Sequence, residues 1–188
     1  MDSRDGQTYK TVKIGNQWWM AQNLNYEASY GSYCYNLNTS NCTKYGRLYT
    51  WTSAMDTHLI VDGNRYGICP KGWHLPTQTE WNTLITAVGG ESTAGMVLKS
   101  TSGWTGCENG TDAFGFSALP AGYRADVYRN EGDNAVFWSS TVYEDLPVYD
   151  VNDARAAYGV YLGYKYGDYA YMSFINETIA LSVRCLKD

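Results

Sequence analysis

The stretch C69-PKGWHLPTQTE-W81 and the chain end S182-VRCLK-D188 decide the reading of this chain. In the first, Thr77-Gln78-Thr79-Glu80 is a capping box: the Thr77 hydroxyl meets the N–H three residues on, and Glu80 reaches back to the cap N–H. Trp81, Leu84, Ile85 and Val88 then recur at helical spacing and predict one apolar stripe, ended by Gly89-Gly90. A second short helix is expected over Glu91 to Lys99, with Ala94, Val97 and Leu98 inward.

Around this helix the pattern is that of strands. Gln7 to Ile14 and Gln17 to Leu24 alternate about a Gly15-Asn16 turn and read as a hairpin. Trp18 and Trp19 then point to opposite faces, so at most one joins the core. Tyr26 to Lys44 reads as polar loop, Trp51 to Met55 as a short helix, and Phe114 to Arg124 as a strand entering a tight bend. The last third reads as strands over Ala135 to Ser139, Tyr158 to Tyr164, Asp168 to Phe174 and Ile179 to Leu186. Each has one apolar face, as in an antiparallel sheet buried on one side. A length of 188 residues suits one domain spanning 1–188.

Composition narrows the function. Net charge is -5 with lysine and arginine interspersed, which argues against nucleic acid. No apolar run approaches the ~20 residues of a membrane helix, so membrane insertion is not expected. No CxxC, HExxH, GxSxG or phosphate-cradling loop is present, so the chain reads as no enzyme, with no cofactor. Glu144, Asp145, Asp150 and Asp153 read as a solvated acidic loop rather than a metal site. Of the two histidines, His74 lies between Trp73 and Leu75 and reads as framework.

The segments Asp5 to Tyr26, Gly46 to Met55, Cys69 to Leu84, Thr111 to Arg124, Phe137 to Thr141 and Ser182 to Cys185 together resemble the Fibrobacter succinogenes major paralogous domain family. The resemblance covers nearly the whole chain. It implies an α+β, C-type lectin-like fold: N-terminal hairpin, one or two helices and a twisted antiparallel C-terminal sheet. In that wiring Cys69 joins Cys185, tying the helix start to the last strand. Cys34 and Cys42 flank a short turn-rich segment and are expected to close a local loop, which leaves Cys107 over. The sequence itself leaves the connectivity open. LPTQTEW also resembles an element of the formylglycine-generating enzymes, but the paired reactive cysteines of that family are missing here.

The functional signal lies in the C-terminal third. From Tyr143 to Tyr171 there are 8 tyrosines in 29 residues, interleaved with Asp, Asn, Gly and Ala. Tyrosine offers stiff, amphipathic contact area at low entropic cost, the chemistry of antibody paratopes. Tyr161, Tyr169 and Tyr171 fall out of phase with Val160, Leu162, Met172 and Phe174 and are expected at the surface. The expected ligand-binding residues are Trp138 as a floor, Tyr143, Tyr149, Asp150, Asn152, Asp153, Arg155, Tyr158, Tyr161, Tyr166, Asp168, Tyr169 and Tyr171. The expected partner is a protein or glycan on a cell surface. Lectin-fold proteins diversified by retroelements vary such a tract, and the family resembled here includes such targets. The alternatives are an enzyme on the formylglycine-generating scaffold and a structural subunit of a surface fibre or phage tail. The N-terminus, MDSRDGQTYK, does not read as a signal peptide, while the cysteines favour an oxidising destination; both fit a cell-surface protein without its leader, or a phage particle.

Overall fold

The computed structural model describes residues 1–56, 60–61, 64–65, 67–144, 155–163 and 169–188. In chain order it forms β1 (Thr11–Ile14), β2 (Gln17–Met20), β3 (Ser32–Tyr33), α1 (Thr39–Tyr45), β4 (Leu48–Thr50), α2 (Trp51–Met55), β5 (Ile60–Val61), β6 (Asn64–Arg65) and β7 (Trp73–His74). There follow α3 (Gln78–Ala87), α4 (Glu91–Leu98), β8 (Tyr123–Arg124), β9 (Tyr128–Arg129), β10 (Asn134–Tyr143), β11 (Ala156–Gly163), β12 (Ala170–Asn176), β13 (Ala180–Ser182) and β14 (Leu186–Lys187). The class is α+β.

Local chemistry sets the first elements. β1 and β2 pair antiparallel about Gly15, whose φ of +57° suits glycine. Trp19 is wholly buried, whereas Trp18 is 43 % exposed. β2 stops at Met20, short of the expected Leu24, and the backbone N–H of Met20 and of Leu24 instead donate to carbonyls of the final segment. The expected loop between Tyr26 and Lys44 holds β3 and α1. Its helix starts at Asn38, whose side chain accepts from the Ser40 N–H at 3.0 Å, a cap that a reading for apolar stripes passes over. The Cys34–Cys42 disulfide closes this segment on itself.

The capping box of α3 is present in full: the Glu80 N–H donates to the Thr77 hydroxyl at 3.2 Å, and the Thr77 N–H donates to the Glu80 carboxylate at 2.8 Å. Trp81, Leu84, Ile85 and Val88 are all buried. Gly89 and Gly90 carry φ of +108° and +88°, which stops α3 and lets α4 start at once in a new direction. Phe114 to Arg124 is mostly irregular and is strand only at β8. Gly122, immediately before β8, has φ +63°, and a Cβ there would collide with the Arg129 carbonyl.

Two sheets organise the chain. The smaller runs β1-β2-β14-β7, so the opening hairpin pairs with the chain end. The larger runs β12-β11-β10-β13-β4-β3, with β8 attached to β13 and β9 to β8. It is mixed rather than wholly antiparallel, because β10 and β13 pair in parallel at Phe137 and Ser182. It is also buried on both faces over much of its width, where one buried face was expected. Phe137, Val160 and Leu162 pack under Trp81, Leu84 and Leu98 of the helices. Val136, Trp138 and Leu181 pack on the other side with Tyr49, Trp51 and the disulfide half Cys185. Three indoles cross this interior with their N–H groups satisfied: Trp81 donates to the Trp138 carbonyl at 3.2 Å, Trp138 to Tyr49 at 2.7 Å and Trp51 to Ser139 at 3.0 Å.

The run Ile179 to Leu186, expected as one strand, is two. The chain leaves the larger sheet after β13 and enters the smaller at β14. At this crossing Val183, Arg184 and Cys185 are all buried, so alternation fails and Arg184 lies in the interior instead of on a polar face. The Cys69–Cys185 disulfide fastens the same crossing to the segment before α3.

Candidate ligand-binding surface

β10, β11 and β12 form the outer lobe of the larger sheet, paired antiparallel in sequence order. A register shift between Trp138 and Val142 bends β10 before its end. Cross-strand pairing then collects aromatic rings on each face.

On one face Tyr161 sits opposite Tyr171. Their rings are stacked, with centroids 5.0 Å apart and planes 4° from parallel. Tyr161 is half-buried, and burial pushes its hydroxyl pKa up to about 12, with Tyr171 and Tyr123 adding to the shift. Tyr161 thus supports the stack from below, while Tyr171 keeps partial exposure and Tyr169 is 54 % exposed beside it. These tyrosines do lie opposite Val160, Leu162 and Met172. Their accessibility is graded, however, with Tyr161 the least free to meet a ligand.

On the other face Phe174 sits opposite Tyr158, and Tyr143 stacks on Phe174 with centroids 4.7 Å apart and lies edge-on to Tyr158 at 5.6 Å. Phe174 is 53 % exposed. The alternation assigned Phe174 to the core with Met172. The phase is right, but α3 and α4 cover only the part of this face that holds Val160, Leu162 and Ala170, and the strand ends run beyond them. Nothing in the sequence marks where the helices stop covering the sheet.

Two further expectations need correction or limits. Trp138 is wholly buried and donates its N–H inward, so it cannot form the floor of a ligand site; it belongs to the core between the sheet and α2. Arg155 is exposed, and its carbonyl accepts from Glu177 N–H at 3.0 Å. Tyr149, Asp150, Asn152, Asp153, Tyr166 and Asp168 lie outside the described residues. So do Asp145 and His58, and of the acidic loop only Glu144 is described, exposed. The 145–154 segment joins the β10 and β11 ends that carry Tyr143 and Tyr158, and the 164–168 segment joins the ends near Tyr161 and Tyr169.

Among the described residues no three His, Cys, Asp or Glu side chains gather as metal ligands. No helix there is long and apolar enough to cross a membrane. Two clefts, of about 290 and 370 Å³, flank α1 and are lined by Gln7, Asn25 and Thr43 among others. Neither reaches the aromatic lobe.

His74 is a structural clamp. Nδ1 lies 2.7 Å from the Asp188 carboxylate and Nε2 lies 3.0 Å from Glu80. It therefore links β7, the first turn of α3 and the end of β14. The hydrogen bond to Glu80 raises the His74 pKa above 6.5, against partial burial. Burial raises the Glu80 pKa, but its hydrogen bonds to His74 and Thr77 outweigh this and hold it at about 2 against 4.5. The His74 contribution is complete below the unfolded pKa of 6.5 and is lost as pH rises through the raised folded value. The Glu80 contribution is complete above 4.5 and is lost as pH falls towards about 2. Stability from this clamp therefore peaks between these limits. Thermal melts of the wild type should be highest near pH 5.5 and fall towards pH 8. His74→Gln should remove that fall, and an equal fall in both proteins would show that other groups cause it.

The family model described as the Fibrobacter succinogenes major domain matches residues 12–187, and the chain belongs to that family. No curated protein and no solved structure matches the chain.

Proposed function

We propose that this member of the Fibrobacter succinogenes major domain family is a single, non-catalytic binding domain that holds a protein or glycan through the aromatic lobe of β10, β11 and β12. The observation that carries this reading is an exposed ring on each face of the lobe: Tyr169 just before the outer strand, beside the Tyr161–Tyr171 stack, and Phe174 on the opposite face, stacked on Tyr143, each above half exposed. An isolated exposed ring is ordinary. Rings that are exposed on top and stacked beneath are stiff before any ligand arrives, which lowers the entropic cost of contact. A surface of this kind suits a macromolecule better than a small molecule, which favours a concave, enclosed site. The two disulfides support an extracellular, cell-surface or phage-particle setting. A C-type lectin-like frame that displays a tract varied by a retroelement is the more specific version of this reading. The coding sequence tests that version directly, through a downstream near-repeat differing at adenines.

The binding reading is tested with the Tyr169→Ala, Tyr171→Ala, Phe174→Ala triple variant, which spares the half-buried Tyr161. Labelled protein is applied to a glycan array and to intact bacterial cells. Aromatic anchors of an interface contribute at least ~2 kcal/mol each, or about 30-fold in affinity. The variant should lose the wild-type signal and keep its melting temperature within a few degrees. Unchanged binding by the folded variant would place the ligand elsewhere.

A further inference from the structure

We infer that Arg124, held against Tyr33 and Tyr128, is a receptor for a carboxylate group. Arg124 lies on β8, its guanidinium 4.1 Å from the Tyr33 ring centroid and 5.9 Å from that of Tyr128. Tyr128 is its direct cross-strand partner on β9, so the two side chains share one face. Tyr35 packs on Tyr128 with ring centroids 5.1 Å apart and closes the aromatic wall. The group is half-buried, and Tyr35 is nearly fully so.

Of the arginines whose side chains are described, only the half-buried Arg124 and the exposed Arg155 form no side-chain hydrogen bond or ion pair. Arg4, Arg47 and Arg129 each pair with a carboxylate. Arg184 is satisfied by oxygen acceptors in the core. Arg124 has no hydrogen-bond or ion-pair partner among the described residues, although the chain carries 19 acidic residues. The Tyr128 hydroxyl is also buried without a partner among them. Glu131 and Asp133 influence Tyr35 electrostatically but neither pairs with Arg124.

A guanidinium stacked on an aromatic face keeps its in-plane N–H fork free, and that fork matches a carboxylate in two parallel hydrogen bonds. Stacking also fixes the side chain in advance, so less rotamer freedom is lost on binding. The cage lies on the face opposite Tyr123, which lines the Tyr161 stack. It is therefore independent of the aromatic lobe, and either site can fail without the other.

The test follows the Arg124 Nε–H resonance of isotopically labelled protein at low salt. Acetate, glucuronate and an N-acetyl, N-methylamide derivative of glutamate are titrated separately, with glucose and matched sodium chloride as controls. A saturable shift with the carboxylates and none with the controls is expected. Tightest binding of glucuronate assigns the carboxylate to an acidic sugar; tightest binding of the glutamate derivative assigns it to an acidic protein side chain. Arg124→Gln should abolish the accompanying shifts of the Tyr33 and Tyr128 ring resonances. Arg124→Lys, which keeps the charge and loses the fork, should bind at least about tenfold more weakly. The absence of a saturable shift in the wild type, or an equal shift with chloride, overturns the assignment even if the variants fail to fold.

Discussion

Arg184→Met should lower the melting temperature by about 8–16 °C, the equivalent of at least about 4 kcal/mol in a domain of this size. Arg184 is wholly buried, and among the described residues no carboxylate forms an ion pair with it, although the charge of Asp112 favours its protonated form. Its Nε donates to the Asn23 Oδ1 at 2.6 Å, and its two terminal nitrogens donate to the carbonyls of Met20, Phe116 and Ser117. The guanidinium also lies 4.5 Å from the Phe116 ring centroid. Burial lowers its pKa to about 9, which leaves it charged at neutral pH. One side chain thus joins the opening hairpin, the Phe116 segment and the chain end. Methionine restores most of the volume but leaves four oxygens without donors, each costing about 1–3 kcal/mol. Arg184→Lys keeps the charge but reaches fewer of them, so it should recover only part of the loss. Chemical denaturation measures both, and a methionine variant as stable as the wild type would make these hydrogen bonds energetically irrelevant.

Removing the Cys69–Cys185 bridge, as the Cys69→Ser, Cys185→Ser pair, should cost about 4–5 kcal/mol. The bridge spans a sequence separation of 116, against 8 for Cys34–Cys42. Chain entropy grows with the logarithm of the loop, so the longer bridge should matter more by about 2 kcal/mol. The Cys34→Ser, Cys42→Ser pair is the comparison, read by denaturation under oxidising conditions. Equal losses from the two pairs would show that strain or residual unfolded-state structure, and not loop closure, governs the effect.

The sequence alone determined whatever depends on neighbours along the chain. The α3 capping box, the Gly89-Gly90 stop, the Gly15 turn and the opposite faces of Trp18 and Trp19, which admit at most one of that pair to the core, all follow from backbone chemistry and side-chain period, and all are present in the structure. The pairing of Cys69 with Cys185 came from resemblance, since spacing leaves cysteine connectivity open. The structure then set the two helices and final crossing around that bond.

Only the tertiary structure decided what covers each strand face. A period of two assigns side chains to faces but not to environments. Phe174 has the phase of Met172 and ends more than half exposed, because α3 and α4 do not extend over it. Arg184 has the phase of a surface residue and ends in the core, because two sheets meet at that point. Trp138 ends in the core because α2 and β4 close over it. The aromatic lobe was legible as a tract rich in tyrosine, but the rings that stand free on it depend on packing between elements far apart in sequence.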